Sequence, residues 1–555
     1  MQGIHCYVAA GLMTLLIPAA RPADEPLKIS VYAPAETVNR YLNTPEGRQD
    51  VVTVLKRFRV SKVYLEGNRG DVWVPVDLLR AVRDDLVSKG IEASGGVGPL
   101  PGKTFGVHVT SQRHRWLDYR AEKSQQDVAR AFTESAAVFD EMIVDDFYCF
   151  DEGTVASRRD LLVRLIDSMM YKPARAVRPS VRLIIKIPQW YDRLQEYGYD
   201  PARMTAASDG IWVGAETRNP DTYESGYVQP MEGYVNFRWL ASVAGSKIGG
   251  AWFDFIDCTA QNYLDQAYQS VLAGARELTL FNLGNLMRGH PGQPLFQAAL
   301  PKLLELAEKV RGRPASGIAY YKPSSSDGDE NLYLMEYLPM VGLPIVPVAK
   351  FPSGWPVIFL GSQAAADHDL LASIKRELAR GATLVLTPAL LRRIDRQAAN
   401  MAGVTVSPQL QPGMAGGLEV DLSLAVTRAE TRVSIPADGK PVPLVTMRKN
   451  GRGRILVANV RAFSGDYPKD PEWIFPPEKL GLPELAQPLA DALRRDLLKP
   501  LKTSLAAPSK VAFYMLSDAS VLYNFRNEPV EVKLDGKVIQ VPANGLVWRY
   551  TQRHK

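Results

Sequence analysis

Leu27-Lys28-Ile29-Ser30-Val31-Tyr32-Ala33-Pro34-Ala35-Glu36 is the stretch on which the fold turns. Its apolar run reads as a strand, and the residues just past that run separate two architectures. An open, doubly wound sheet places a glycine-rich phosphate loop after its first strand. Here the strand runs into Ala33-Pro34-Ala35-Glu36, so that signal is missing. Further apolar runs recur at Lys62–Leu65, Ile91–Ser94, Met142–Phe147, Val181–Ile187, Gly210–Val213, Gly250–Phe253 and Leu278–Asn282. Between them Val51, Leu55 and Phe58 share one helical face, as do Leu79, Val82 and Leu86. Eight strands alternating with helices predict an α/β fold whose parallel sheet closes into a (β/α)8 TIM barrel over residues 24–315.

Residues 316–480 carry shorter runs at Gly317–Tyr321, Ile345–Val348, Val357–Leu360, Thr383–Thr387 and Ile455–Val460. A helix from Asp367 to Arg380 stops at Gly381. This pattern predicts a small, flavodoxin-like α/β domain. The amphipathic stretch Leu482–Leu501 makes residues 481–508 a helical connector. Residues 509–555 hold five short strand runs, Val511–Leu516, Val521–Phe525, Val530–Leu534, Val538–Val541 and Leu546–Tyr550. Asp535-Gly536 marks a hairpin turn between two of them, and the tail is expected to form a C-terminal β-sandwich.

Composition bounds the function. With 46% hydrophobic and 23% charged residues, the chain is ordinary globular protein. The net charge of +6 comes from scattered basic residues, which gives no footprint for nucleic acid. The apolar run Tyr7–Leu16, followed by Ala19, Ala20 and Ala23, reads as a signal peptide over residues 1–23. The expected location is therefore secreted or periplasmic. No later run is long enough to span a membrane. Cys149 and Cys258 are too few to staple such a chain, so cores must stabilise it. The histidines form no paired metal-ligand motif, and there is no nucleophile elbow or Walker loop.

Functional residues of a βα barrel sit at the C-terminal ends of its strands. Those ends hold Glu66 on strand two, Asp145-Asp146-Phe147-Tyr148 on strand four and Lys186 with Gln189-Trp190-Tyr191 on strand five. Strand six contributes Glu216 and Arg218, strand seven Asp254, and strand eight Asn282. Side chains alternate along a strand, so only one of Asp145 and Asp146 can aim at the axis. If the face of Met142 and Val144 points inward, that residue is Asp146. Two carboxylates, Asp146 and Glu216, could then flank one glycosidic bond, one attacking or stabilising the anomeric carbon and the other protonating the leaving oxygen. Such chemistry needs no metal and no organic cofactor. Tyr148, Trp190, Tyr191, Trp212 and Trp252 crowd the same ends, with Tyr227, Tyr234 and Trp239 between strands six and seven. Aromatic faces beside acids suit a sugar. Trp212 and Trp252 serve equally well as barrel core, while Trp190 and Tyr191 lie past the strand end. Gly95-Gly96-Val97-Gly98 reads as a rim loop.

The order of barrel, small α/β domain and small β domain resembles that of β-galactosidases that carry a trimerisation domain after their barrel. The matching text is Gly342-Leu343-Pro344-Ile345-Val346-Pro347-Val348, Val357-Ile358-Phe359-Leu360, Gly381-Ala382-Thr383-Leu384-Val385-Leu386-Thr387 and Gly453-Arg454-Ile455-Leu456-Val457. That region is also similar to class I glutamine amidotransferase folds but contains no cysteine, so the resemblance implies a structural or oligomerising role. Those β-galactosidases have Asn-Glu after strand four and Glu after strand seven, where this chain has Asp145-Asp146 and Asp254. Its acids are placed more as in glycosidases that draw the nucleophile from strand four and the acid/base from strand six. The N-terminal run, the ring of acids and aromatics at successive strand ends and this resemblance together lead to an expected exported glycoside hydrolase acting on an oligosaccharide or glycoside, with Asp146 as nucleophile and Glu216 as acid/base by position. Glu66, Asp145, Tyr148, Lys186, Trp190, Arg218, Asp254 and Asn282 would contact the substrate. Three alternatives stay open: Asp254 paired with either acid, a catalytically silent carbohydrate-binding barrel, and a sugar lyase.

Overall fold

The computed structural model describes residues 26–109, 116–219, 229–437, 439–463 and 484–551. The expected signal peptide, Tyr227 and the first residues of the connector lie outside them. Eight parallel strands form one closed sheet: β1 (Lys28–Ala33), β2 (Lys62–Arg69), β3 (Glu92–Gly98), β4 (Glu141–Val144), β5 (Arg182–Ile187), β6 (Gly210–Gly214), β7 (Ile248–Asp254) and β8 (Glu277–Phe281). Closure is direct, because β1 pairs with β2 on one side (Val31 opposite Val63) and with β8 on the other (Val31 opposite Leu280). Helices α1 (Pro45–Arg57) and α2 (Val76–Ser88) bury the faces expected of them, Val51 and Leu55 in one and Leu79, Val82 and Leu86 in the other.

The barrel interior is aromatic. Tyr32, Tyr64, Ile143, Ile184, Trp212 and Trp252 form a cluster of their own, with Phe281 against it. Room for Trp212 comes from β7: a Cβ on Gly250 would stand 2.3 Å from the indole nitrogen. That nitrogen instead donates to the Thr279 hydroxyl at 3.0 Å. Trp212 and Trp252 are thus interior packing.

Two sequence expectations are corrected here. Gly95-Gly96-Val97-Gly98 is strand, not rim loop: Gly95, Gly96 and Val97 pair with Met142, Ile143 and Val144 of β4. The inward residue of β4 is Ile143, whereas Met142 and Val144 pack outward against the helical layer. By alternation the acid aimed at the axis is Asp145, not Asp146.

The second domain is built on a mixed sheet of β9 (Ile318–Tyr321), β10 (Ile345–Val348), β11 (Val357–Leu360), β12 (Thr383–Leu386), β13 (Glu430–Ala437), β14 (Lys440–Asn450) and β15 (Gly453–Ala458), in the order β10-β9-β11-β12-β15-β14-β13. Its helix Leu370–Arg380 ends on Gly381 at φ +100°, where a side chain would be strained. The barrel helix α3 (Glu232–Ala244) docks on this domain. The Trp239 indole donates to the Lys322 carbonyl at 2.9 Å, and the Lys322 ammonium lies 4.5 Å from the Trp239 ring.

The connector contains α4 (Gln487–Leu498). The tail continues as β16 (Val511–Leu516), β17 (Ala519–Asn524), β18 (Val530–Leu534), β19 (Lys537–Val541) and β20 (Gly545–Tyr550), split between two small sheets. Tyr514 and Tyr523 donate their hydroxyls to Gln269 and Asp265 of the barrel helix Ala260–Ala273, both at 2.5 Å. No helix among the described residues is long and apolar enough to cross a membrane.

Candidate active site

One lysine organises the mouth. Lys186 is an inward residue of β5, carried above Ile184 by the same alternation. Its ammonium lies 2.7 Å from Asp146 Oδ2, 2.6 Å from Glu216 Oε1 and 3.5 Å from Asp145 Oδ1, and 4.5 Å from the Trp252 ring centroid. Three acids from two strand ends thus converge on one cation. Asp146 reaches it despite the parity of β4 because the strand stops at Val144 and the chain turns. Its backbone N–H donates to Asp145 Oδ1 at 2.9 Å, and Tyr199 donates to its carbonyl at 2.6 Å.

Asp145 is held from the other side. Arg69 Nη2 lies 2.8 Å from Asp145 Oδ2 and 2.8 Å from Glu66 Oε1. Glu66 also accepts from the Tyr32 hydroxyl (2.6 Å) and from the Ala35 amide (2.7 Å). Burial disfavours charge on Asp145, yet Lys186 and Arg69 outweigh it and its pKa falls below the ordinary value. Glu66 is raised by burial, which Arg69 only partly offsets. These two are fixed structural carboxylates with every oxygen engaged.

Glu216 and Asp146 differ from them. Burial raises both pKa values, Asp146 to about 7, and Lys186 pulls each back. Glu216 Oε2 is buried and accepts no hydrogen bond. It exists in that position only because residue 214 is glycine: a Cβ there would stand 2.5 Å from Glu216 Oε2 and 3.0 Å from Pro188 Cα. Asn236 of α3 ties the same corner, donating to the Gly214 carbonyl (2.8 Å) and the Pro188 carbonyl (3.1 Å). The Lys186 pKa is raised, because its three acid neighbours outweigh the burial that opposes its charge.

The remaining expected residues divide. Arg218 pairs with Asp254, so that acid is already neutralised by a buried guanidinium. The Asn282 side chain caps the helix Leu283–Arg288, accepting from the Asn285 amide at 2.9 Å. Tyr148 is a correction: it is fully buried, its hydroxyl donates to the Leu162 carbonyl at 2.5 Å, and Tyr119 packs edge-on at 5.2 Å. Trp190 is likewise buried, packed against Tyr197 at 5.1 Å, and Tyr191 lies edge-on to Tyr333 of the second domain. Neither presents a face to the mouth as expected. Tyr234 and Trp239 are buried helix residues. Among the described residues no group of three or more His, Cys, Asp or Glu is arranged to hold a metal.

Arg69 is a site residue that the sequence pattern does not mark. It lies beyond the expected end of β2 and has the wrong parity to share a face with Tyr64 and Glu66. A register shift against β3 between Glu66 and Asn68 inserts one residue and turns Arg69 toward the acids. Two glycines beside Arg69 and Glu66, at positions 96 and 98, are the only hint of crowding there.

Comparison with known proteins agrees with the barrel fold. Residues 18–296 match the family described as "Probable glycosyl hydrolase, catalytic domain", and the chain belongs to that family. Its barrel is therefore a glycosyl hydrolase catalytic domain. Residues 315–409 match the second domain of the uncharacterized protein SSO3021. That protein, from Saccharolobus solfataricus, is 24% identical over 326 residues, covering 51% of this chain and 52% of its own length. The chain thus spans about half the length of this relative. Among solved structures, a GH42 β-galactosidase from G. stearothermophilus superimposes with a TM-score of 0.64 at 11% identity, over 96% of this chain and 99% of that one. The β-galactosidase of Bacillus circulans sp. alkalophilus (TM-score 0.63, 11% identity, 95% and 99% coverage) and α-L-fucosidase isoenzyme 2 of Paenibacillus thiaminolyticus (0.62, 11%, 94% and 98%) share the architecture. At such identity the likeness is one of fold.

Proposed function

We propose that the chain hydrolyses O-glycosidic bonds by double displacement, with Asp146 as nucleophile and Glu216 as general acid and then base. The observation that carries this reading is the shared ammonium. Asp146 Oδ2 and Glu216 Oε1 lie 2.7 and 2.6 Å from the same Lys186 nitrogen, so they can be no further apart than those two distances together. Two carboxylates that share one ammonium are close-set, which supports the roughly 5 Å arrangement of retaining enzymes over the roughly 6.5–9.5 Å of inverting ones.

The proton assignment rests on burial. Burial raises the pKa of both carboxyls, and two acids set so close do not readily carry charge together. The acid role is assigned to Glu216, the more deeply buried of the two. Asp146 keeps 16% of its side chain exposed against 3% for Glu216, which favours charge on Asp146. Glu216 then delivers its proton to the leaving oxygen as Asp146 attacks the anomeric carbon and the glycosidic bond breaks. In the second half Glu216 takes a proton from water, whose oxygen displaces Asp146 and frees the sugar. Lys186 keeps Asp146 ionised and aligned. Asp254, paired with Arg218, is a binding group.

Asp146→Asn and Glu216→Gln should each cut turnover of aryl glycosides by about 10²–10⁴-fold, with Glu216→Gln recovering on a dinitrophenyl leaving group that needs no acid. Near-wild-type turnover in both variants would end the assignment, and glycan binding with no turnover in the wild type would favour a silent carbohydrate-binding barrel. Export belongs to the same proposal, supported by the apolar run Tyr7–Leu16 and the alanines after it. N-terminal sequencing of the mature protein tests it. Oligomerisation through the second domain, implied by the resemblance to trimerisation domains, is tested by light scattering.

A further inference from the structure

A groove of about 950 Å³ lies far along the chain from the acids of the barrel mouth. Its walls are the end of α4 with the turn Lys499–Leu501, the hairpin between β18 and β19, and the last residues of β20. Arg495, Lys499, Lys502, Lys537 and Arg549 line it. None of the five has a carboxylate partner among the described residues. Only two acids line the groove, and both are already engaged. Asp491 pairs with the buried Arg494, and Asp535 Oδ1 accepts from the Thr503 hydroxyl (2.9 Å) and the Ser504 amide (2.8 Å).

Elsewhere on the surface many basic residues sit beside an acid, as in Arg80–Asp77, Lys89–Asp85, Arg130–Glu134 and Lys309–Glu305, whereas here five without one among the described residues share a single concavity. Five cations facing one concavity repel one another unless an anion sits among them. The placement is ordered. Ser520 and Arg549 lie opposite each other on β17 and β20, on the sheet face turned away from Tyr523 and the barrel helix it contacts. Thr503, Ser504 and Ser520 add hydroxyls to the lining. The volume is at the upper end of the range for small-molecule sites, enough for a segment of an extended chain.

We propose that this groove binds an acidic polysaccharide, one bearing uronate carboxylates or sulfate esters, and so holds a polymer on the enzyme independently of the barrel mouth. The cations call for a polyanion; the choice of a glycan over other polyanions rests on the hydrolase reading. Spaced anions would meet the separate cations, while the hydroxyls suit the sugar backbone.

The test uses the full chain and measures affinity for polygalacturonate, dextran sulfate, unmodified dextran and duplex DNA at low and high sodium chloride. Expected is binding of one or both acidic glycans about tenfold or more tighter than dextran, weakened by salt, and weakened about tenfold or more in Lys499→Glu/Lys537→Glu. Whether polygalacturonate or dextran sulfate binds tells uronate from sulfate. The double variant should keep wild-type melting temperature and aryl glycoside turnover; should it fail to fold, Arg495→Gln, an exposed single change, takes its place. Unchanged affinity in the variant, equal binding of dextran, tighter binding of DNA, or no binding would each overturn the proposal. Because the readout is binding, it stands apart from the hydrolase reading: acidic glycan bound without any aryl glycoside turned over would sink that reading alone.

Discussion

Replacing Lys186 with methionine tests the organisation of the mouth most sharply. Methionine keeps an unbranched apolar stem in the barrel interior and removes the ammonium, with its charge and its N–H donors. Three acids then lose the cation that lies 2.6, 2.7 and 3.5 Å from them. Breaking a buried ion pair costs about 3–5 kcal/mol while the remaining charges persist. Asp146 and Glu216 escape part of that cost by taking protons, which raises further two pKa values already above the ordinary range. A folded-state pKa above the unfolded one means the native state holds protons that the unfolded chain releases. Stability therefore declines as pH rises from the ordinary carboxylate range, about 4, through the raised value. In the wild type this decline runs to about 7 for Asp146. In Lys186→Met it extends higher and is deeper. By differential scanning fluorimetry the variant should melt close to the wild type near pH 5 and on the order of 5–10 °C below it near pH 8. Its kcat/KM should fall about 10²–10⁴-fold at neutral pH, with the optimum displaced upward because Asp146 now ionises late. An equal melting deficit at both pH values, together with an unmoved optimum, would refute the shared-cation account.

Other expectations rest on single features. Gly214→Ala places a methyl 2.5 Å from Glu216 Oε2, so the acid must move, and kcat should fall about 10²-fold with KM little changed; unaltered kcat would show that the position of Glu216 does not matter to turnover. In the wild type, kcat/KM should rise as pH climbs toward about 7, where the nucleophile Asp146 ionises, and a profile flat from about pH 4 to 7 would contradict this. Arg69→Met leaves Asp145 and Glu66 without their common guanidinium and should cost about 3–5 kcal/mol of stability, read from chemical denaturation, with a larger loss at neutral than at acid pH; a loss under 1 kcal/mol would mean the pair is not a structural anchor.

Much of the barrel is legible in the sequence because period and spacing are local properties. The faces of α1 and α2, the eight strand positions and the turn at Gly381 all depend on residues a few places apart. The features that the sequence conceals depend on where strands stop and on insertions. Met142 and Val144 look like an inward face, but Gly95 and Gly96 of β3 and the helical layer decide which side of β4 is filled, and they put Ile143 inside. Asp146 nevertheless reaches Lys186, because the strand ends two residues earlier and the turn, not the pleat, aims it. Arg69 is hidden by a bulge that changes parity without any mark in the hydrophobic pattern. Tyr148, Trp190 and Tyr191 look like sugar contacts because they come just after strand ends. Their burial against Tyr119, Tyr197 and Tyr333 depends on how loops and the second domain pack, which no local pattern records. Acid type and order along the strand ends, by contrast, are visible, and the structure gathers Glu66, Asp145, Asp146, Lys186 and Glu216 into one connected cluster.

The central claim is that Asp146 attacks the sugar while Glu216 supplies the proton. A panel of 2-deoxy-2-fluoro glycosyl fluorides, which slow release of a glycosyl-enzyme, tests it through intact mass and peptide mapping. The account predicts a single adduct on the peptide carrying Asp146, absent in Asp146→Asn and formed still in Glu216→Gln. An adduct on Asp254 or Glu216, or turnover of aryl glycosides with inversion and no adduct, would contradict it.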